Sequence, residues 1–268
     1  MEIGISSASF YPMETELAVS ELIKLGFRKT ELFLNSESEF DFQYCKDLRK
    51  TLDAAGVSVV SVHAYTAAVE GIYFFGDYPR RTADSIEAYR KYFCAAEILG
   101  AKYFTFHGDR TLVGGRSIHQ TPIERHSEVL LRLANAAKEH GILIAQENVS
   151  WCTSSDPEYI RGLRSNLGDA IGYTLDLKQA RRANVPWQAY ADAMGDRILN
   201  LHISDVKGTR TSVLPGCGDF DYIEFYRFLK KIGYNGDSII EVYREDYNQF
   251  FELVDAKRYV ETIFCENQ

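Results

Sequence analysis

A basic surplus, paired cysteines, linker tracts and long apolar runs are all missing from this chain of 268 residues. Lys and Arg number 30 against 38 Asp and Glu, for a net charge of −8. That balance excludes the cationic surplus on which sequence-independent attraction to nucleic acid rests, so no nucleic-acid partner is expected. Cys45, Cys94, Cys152, Cys217 and Cys265 are odd in number, widely spaced and without a CxxC pair. A disulfide framework is therefore not expected, and a reducing, cytoplasmic setting is. No apolar run approaches the ~20 residues of a membrane span, and the segment from Met1 to Ser6 has neither the basic start nor the apolar stretch of a leader, so no membrane partner is expected. Six prolines are scattered, and no Gly/Ser-rich or single-charge tract marks a seam. One domain over residues 1–268 is the expectation.

What is present is an alternation of short β-branched runs with longer amphipathic segments, the signature of repeated βα units on a parallel sheet. Eight strands are predicted: Glu2–Ser7, Lys29–Leu34, Ser58–His63, Lys102–His107, Ile142–Glu147, Ile171–Asp176, Ile198–Ser204 and Ser238–Val242. The helical segments between and after them are Thr15–Leu25, Phe42–Ala55, Pro79–Leu99, Pro122–His140, Pro157–Leu167, Lys178–Met194 with a break near Pro186, Tyr222–Ile232 and Tyr247–Phe264. Gly26, Gly56, Gly100, Gly141 and Gly233 follow helix ends, where a left-handed residue closes the last turn. Eight such units without a seam predict an α/β fold, a closed (β/α)8 TIM barrel. An open doubly wound sheet is the alternative.

Glu147, Asp176, His202 and Glu241 each close a short apolar, β-rich run, in four consecutive predicted strands. Taken singly, each is also what a strand-to-loop junction normally carries. A closed parallel barrel brings strand ends to one face, and carboxylates with an imidazole suit a borderline or hard divalent ion. His63 and His107 end the third and fourth strands on that same face. A structural hydrogen-bonding role and a pocket-lining role are both open for them.

The order of these segments resembles the xylose isomerase-like TIM-barrel superfamily, in particular its sugar phosphate isomerase/epimerase and ketose 3-epimerase branch. The resemblance runs through Val-Ser-Val-His63, Phe-Thr-Phe-His107-Gly, Ala-Gln-Glu147-Asn, Thr-Leu-Asp176, Leu-His202-Ile-Ser-Asp205, the Pro215-Gly216-Cys-Gly218 segment and Ile-Ile-Glu241-Val. It implies one divalent metal ion, Mn, Co, Mg or Zn, held by Glu147, Asp176, His202 and Glu241. Glu147 and Glu241 would also be the catalytic acid/base pair, moving a proton next to a carbonyl through an enediolate. The implied partner is a small-molecule carbohydrate: a sugar, sugar phosphate or polyol-derived ketone. The branch has a substrate-holding His where this chain has Gln179. An inosose-type dehydratase on the same ion is one alternative function. Endonuclease IV, a DNA-repair nuclease of the superfamily, is another; its pattern asks for a His at Gln179 and an Asp-x-His where this chain reads Ser212-Val-Leu-Pro.

Further candidates lie in loops. Lys207 and Arg210 follow His202 and are either substrate-orienting cations or solvated loop charges. Asp205 either orients His202 or caps its loop. Gly216 and Gly218 form a GxG, for which turn formation is a better explanation than phosphate binding. Trp151 and the cluster of Tyr73, Phe74 and Phe75 suit a wall against a sugar face, buried packing, or contact with a second copy in a homo-oligomer.

Overall fold

The structure, a computed structural model, describes residues 1–111 and 121–266. Eight parallel strands close into a barrel: β1 (Ile3–Ser6), β2 (Lys29–Leu34), β3 (Ser58–Ala64), β4 (Tyr103–Phe106), β5 (Leu143–Glu147), β6 (Gly172–Asp176), β7 (Ile198–Ile203) and β10 (Ser238–Ile240). Each pairs with its sequence neighbour, and β10 returns to β1 through Ile3↔Ser238, Gly4↔Ile239 and Ile5↔Ile240. A short antiparallel hairpin, β8 (Asp205–Lys207) and β9 (Arg210–Val213), rises from the end of β7 outside the barrel.

The surrounding helices are α1 (Thr15–Lys24), α2 (Phe42–Ala55), α3 (Glu70–Phe74), α4 (Pro79–Leu99), α5 (Ile123–Lys138), α6 (Pro157–Leu167), α7 (Leu177–Arg182), α8 (Trp187–Met194), α9 (Tyr222–Lys231) and α10 (Phe251–Glu266). Asp41, Asp156 and Asp221 cap α2, α6 and α9 by accepting hydrogen bonds from first-turn backbone amides, which satisfies donors the helix leaves free. All five helix-end glycines singled out in the sequence adopt positive φ. β6 is buried along its whole length, as a parallel strand covered inside and out must be.

The predicted units are all present, with local differences. The expected break at Pro186 separates α7 from α8, because Pro186 takes an extended ψ of 136° and starts the second helix as its cap. Pro122 is likewise extended, and α5 starts at Ile123 instead of at the proline. The last helix begins at Phe251, four residues beyond the predicted Tyr247, after a 3-10 turn at Arg244–Asp246. α3 and the β8–β9 hairpin have too few residues for a period to emerge, and neither was predicted. Among the described residues no helix is long and apolar enough to cross a membrane.

A candidate metal centre at the barrel mouth

Register assembles the centre. Asp176 on β6 stands directly across from His202 on β7, and His202 in turn pairs with Ile239 on β10, two residues before Glu241. Glu241 extends that ladder by donating its backbone N–H to the Ile203 carbonyl. Glu147 ends β5 next to β6. One oxygen or nitrogen from each of Glu147, Asp176, His202 and Glu241 lies within 4.8 Å of the others. His202 Nδ1 is the hub, 3.5 Å from Glu241 Oε2, 3.7 Å from Asp176 Oδ2 and 3.8 Å from Glu147 Oε1.

Those distances are too long for hydrogen bonds and short enough for ligands around one ion. His202 Nδ1 and Asp176 Oδ2 are buried without any hydrogen-bond partner. Orphaned buried polar atoms are costly, and two of them aimed at a common point fit a divalent cation. The donor set of three carboxylates and one imidazole fits Mn, Co, Mg or Zn without selecting among them.

Residues behind the four fix their orientation. Glu31 on β2, fully buried, accepts from His202 Nε2 at 3.0 Å, from Ser61 Oγ at 2.6 Å and from Thr105 Oγ1 at 3.0 Å. With a cation in place of the second imidazole proton, a proton held on Nε2 would leave Nδ1 as the lone-pair nitrogen facing the carboxylates. Asn148 clamps the Asp176 backbone, accepting from its N–H at 2.7 Å and donating to its carbonyl at 3.0 Å. Asp176 Oδ1 meanwhile caps α7 by accepting from the Gln179 amide, leaving Oδ2 for the centre. Lys178 is buried and donates to Glu241 Oε2 at 2.7 Å, with Asp176 Oδ2 3.8 Å away.

The electrostatics follow from burial and from these neighbours. Burial raises the Glu241 carboxyl, but Lys178 and His202 outweigh it and bring the pKa down to about 2. Glu147 is likewise raised by burial and held well below the usual range by His107 and His202. Asp176 is different: burial dominates, Lys178 and His202 compensate only in part, and its pKa rises to about 6. The His202 imidazole, despite burial, is pushed well upward by Glu31 and Glu241. Carboxylates thus outnumber the single ammonium, and the centre is a sink for positive charge.

The centre opens into a cavity of about 360 Å³ lined by Glu147 and Glu241 together with His63, His107, Trp151, Lys178, Gln179, Arg182 and Tyr243. Phe33 and Tyr11 supply apolar surface. His63 Nε2 and His107 Nε2 are 2.7 Å apart, and His107 Nε2 lies 3.1 Å from Glu147 Oε2. Burial and the facing His107 lower His63 to about 4, which favours its neutral form. Glu147 therefore also belongs to a second grouping of possible ligands, with His63 and His107. Trp151 meets the His107 ring edge-on at 5.2 Å. Gln179 points its carbonyl oxygen toward Ser150, accepting from the amide at 3.1 Å and from the hydroxyl at 2.8 Å.

Lys207 and Arg210, for which the sequence leaves a substrate-orienting and a solvated loop role open, do not line this cavity. The β8–β9 hairpin carries both outward to solvent, where Arg210 pairs with Asp246 at 3.1 Å. Asp205 does not reach His202 either. It accepts from the amides of Val206, Gly216, Gly218 and Phe220. The GxG amides that a phosphate would need are therefore already occupied, and the segment is a turn built around Asp205. Of the Tyr73–Phe75 cluster, Phe74 and Phe75 are core residues packed on Phe106. Glu31, Asn148, Lys178 and Arg182 escaped the sequence reading. Lys178, two residues after Asp176, carried the one available signal, an ionisable side chain next to a strand-end carboxylate.

The chain belongs to the xylose isomerase-like TIM barrel family, whose pattern matches residues 19–264. Among curated proteins it is 26% identical over 257 residues to the Mycobacterium tuberculosis protein Rv0498, covering 90% of this chain and 89% of that one. It is 27% identical over 197 residues to an inosose isomerase of Bacillus velezensis, covering 69% of each. Among solved structures, a D-tagatose 3-epimerase-like protein superposes with a TM-score of 0.81 at 19% identity, over 100% of this chain and 99% of the other. The IOLI protein with a bound zinc atom gives 0.79 at 18% identity over 99% of each chain. At such identities these structures carry the likeness of fold.

Proposed function

We propose that this protein is a divalent-metal-dependent sugar isomerase or epimerase that moves a proton on the carbon next to a carbonyl. One observation carries the reading: Glu147 and Glu241 converge with Asp176 and an unpartnered His202 Nδ1 at the floor of a cavity of about 360 Å³. A sugar-sized space, a cation sink and two carboxylates meet at one point. The relatives point the same way, one an inosose isomerase and another a D-tagatose 3-epimerase-like protein, and the zinc in IOLI supports a metal at such a centre.

Glu147, Asp176, His202 and Glu241 would hold the ion, which when bound supplies Lewis-acid polarisation of a substrate carbonyl and so acidifies the adjacent C–H. Glu147 and Glu241 come from strand ends separated by β6 and β7, so they approach a bound sugar from different sides. One would take the proton as a carboxylate while the other, entering as the carboxylic acid, delivers its own proton to the opposite face or the neighbouring carbon, which gives inversion or carbonyl transfer; both regain their starting states by exchange with solvent. His107, 3.1 Å from Glu147, and Lys178, 2.7 Å from Glu241, each give one carboxylate a hydrogen-bonding partner that orients it. Trp151 and Phe33 add apolar surface to the cavity wall, against which a sugar face could pack.

The test is proton exchange. Incubation of the Mn2+-loaded protein with D-tagatose, D-fructose and L-ribulose in deuterated water, followed by NMR, is expected to show deuterium entering next to the carbonyl. Glu147→Gln and Glu241→Gln are each expected to slow that exchange by ~100-fold or more. Undiminished exchange in both variants would remove them from the acid/base role.

A further inference from the structure

Two cations share the Tyr243 ring at one wall of the cavity. Lys178 Nζ lies 4.8 Å from its centroid and Arg182 Cζ lies 5.1 Å from it. Their circumstances differ. Lys178 is buried and already neutralised by Glu241 at 2.7 Å. Arg182 is exposed at the cavity mouth and has no carboxylate within ion-pair distance among the described residues. It is nevertheless held in place: its Nε donates to Thr211 Oγ1 at 3.2 Å and its Nη1 to the Tyr243 hydroxyl at 2.6 Å.

We propose that Arg182 receives a terminal anion on the substrate, and that this site takes a ketose carrying a phosphate or carboxylate at the end remote from its carbonyl. The inference rests on the isomerase or epimerase reading and narrows it. A guanidinium braced by neutral hydroxyls, with Nη2 unassigned to any of them, is a preorganised fork without its acid. The aromatic ring is the spacer between it and the Lys178–Glu241 pair. The guanidinium thus lines the same cavity as Glu147 and Glu241, on the side of Tyr243 where the far end of a ketose held by those two carboxylates would be received. Lys207 and Arg210 cannot serve, because the β8–β9 hairpin turns them away from the cavity. In a chain of net charge −8, a fixed cation facing the site is also what draws an anionic substrate past an acidic surface.

The experiment compares D-fructose and D-tagatose with their 6-phosphates and with the corresponding keto-uronates. Solvent deuterium exchange and calorimetric binding are followed in the Mn2+-loaded wild-type protein, Arg182→Gln and Arg182→Lys. The expected result is about tenfold or greater preference for the anionic sugars in the wild type, in both binding and exchange. That ratio collapses toward one in Arg182→Gln and is partly kept in Arg182→Lys. Preference for only one of the two anions identifies which it is and upholds the inference. Neutral sugars handled as well as anionic ones, or a preference that survives Arg182→Gln, would overturn it while leaving the isomerase reading intact. Absence of exchange with every sugar would overturn both. Because Arg182 is exposed, an unchanged thermal midpoint shows that its variants are folded.

Discussion

The Nε2–H of His202 points at Glu31 Oε2 across 3.0 Å in the barrel interior, beneath the four-residue centre. This contact decides which imidazole nitrogen carries the proton. An ionised Glu31 keeps the proton on Nε2 and the lone pair on Nδ1; a Gln at the position can present an N–H instead and reverse the tautomer. Glu31→Gln is expected to weaken Mn2+ binding by roughly 10–100-fold, the usual cost of losing such an outer partner. A titration followed by electron paramagnetic resonance measures it, and unaltered affinity would mean that the tautomer is fixed elsewhere.

Lys178 places a positive charge on the same Glu241 oxygen that faces His202 Nδ1. Ammonium and divalent ion repel each other and share a carboxylate, so Lys178→Met is expected to tighten Mn2+ binding by at least about tenfold. A looser site in that variant would show that losing the partner that orients Glu241 outweighs the relief of repulsion.

Glu70 on α3 is fully buried, with one oxygen accepting from the amides of His107 and Gly108 at 2.8 Å each. Burial outweighs those bonds and the His107 charge, and its pKa rises from the usual 4.5 to about 7. The folded state then holds this proton more tightly than the unfolded chain. The corresponding stability is complete below about 4.5 and is lost as the pH climbs through about 7. Unfolding by urea between pH 5 and 8 is expected to show a decline of a few kcal/mol from this group. Glu70→Gln should flatten that part of the profile, and an identical slope in both proteins would contradict the assignment.

Gly218 has no room for a side chain, since a Cβ there would overlap the Val206 carbonyl oxygen and the Asp205 carboxylate. The obstruction includes backbone, so it cannot be relieved by a rotamer change. Gly218→Ala is expected to cost about 1–3 kcal/mol of stability, read from denaturant midpoints. Losses below about 0.5 kcal/mol would show that the Asp205-centred turn can relax.

The fold was legible because its information is repetitive. Each strand is a short apolar run, each helix has a long amphipathic face, and glycines such as Gly56 and Gly100 mark their junctions. The four residues of the centre were legible for the same reason, each standing at a strand end. Glu31 was not, because it sits inside β2 between Thr30 and Leu32, where a period-2 reading assigns it to a polar face. Only closure of the barrel puts that face against His202. Arg182 and Lys178 belong to α7, six residues that look like the start of a longer helix until Pro186 ends it. For Lys207 and Arg210 the sequence leaves a substrate-orienting and a solvated role open, and only the turn of the β8–β9 hairpin, which carries both to solvent, separates the two.

The central claim is that Glu147, Asp176, His202 and Glu241 form a single ion site. Elemental analysis after equilibrium dialysis against limiting Mn2+, carried out on the wild type and on Asp176→Asn, tests it most directly. The account predicts close to one tightly held ion per wild-type chain, an ion-dependent rise in thermal midpoint, and loss of both in the variant while it remains folded. A wild-type protein that retains no divalent ion, or an Asp176→Asn protein that retains it with undiminished affinity, would contradict the account.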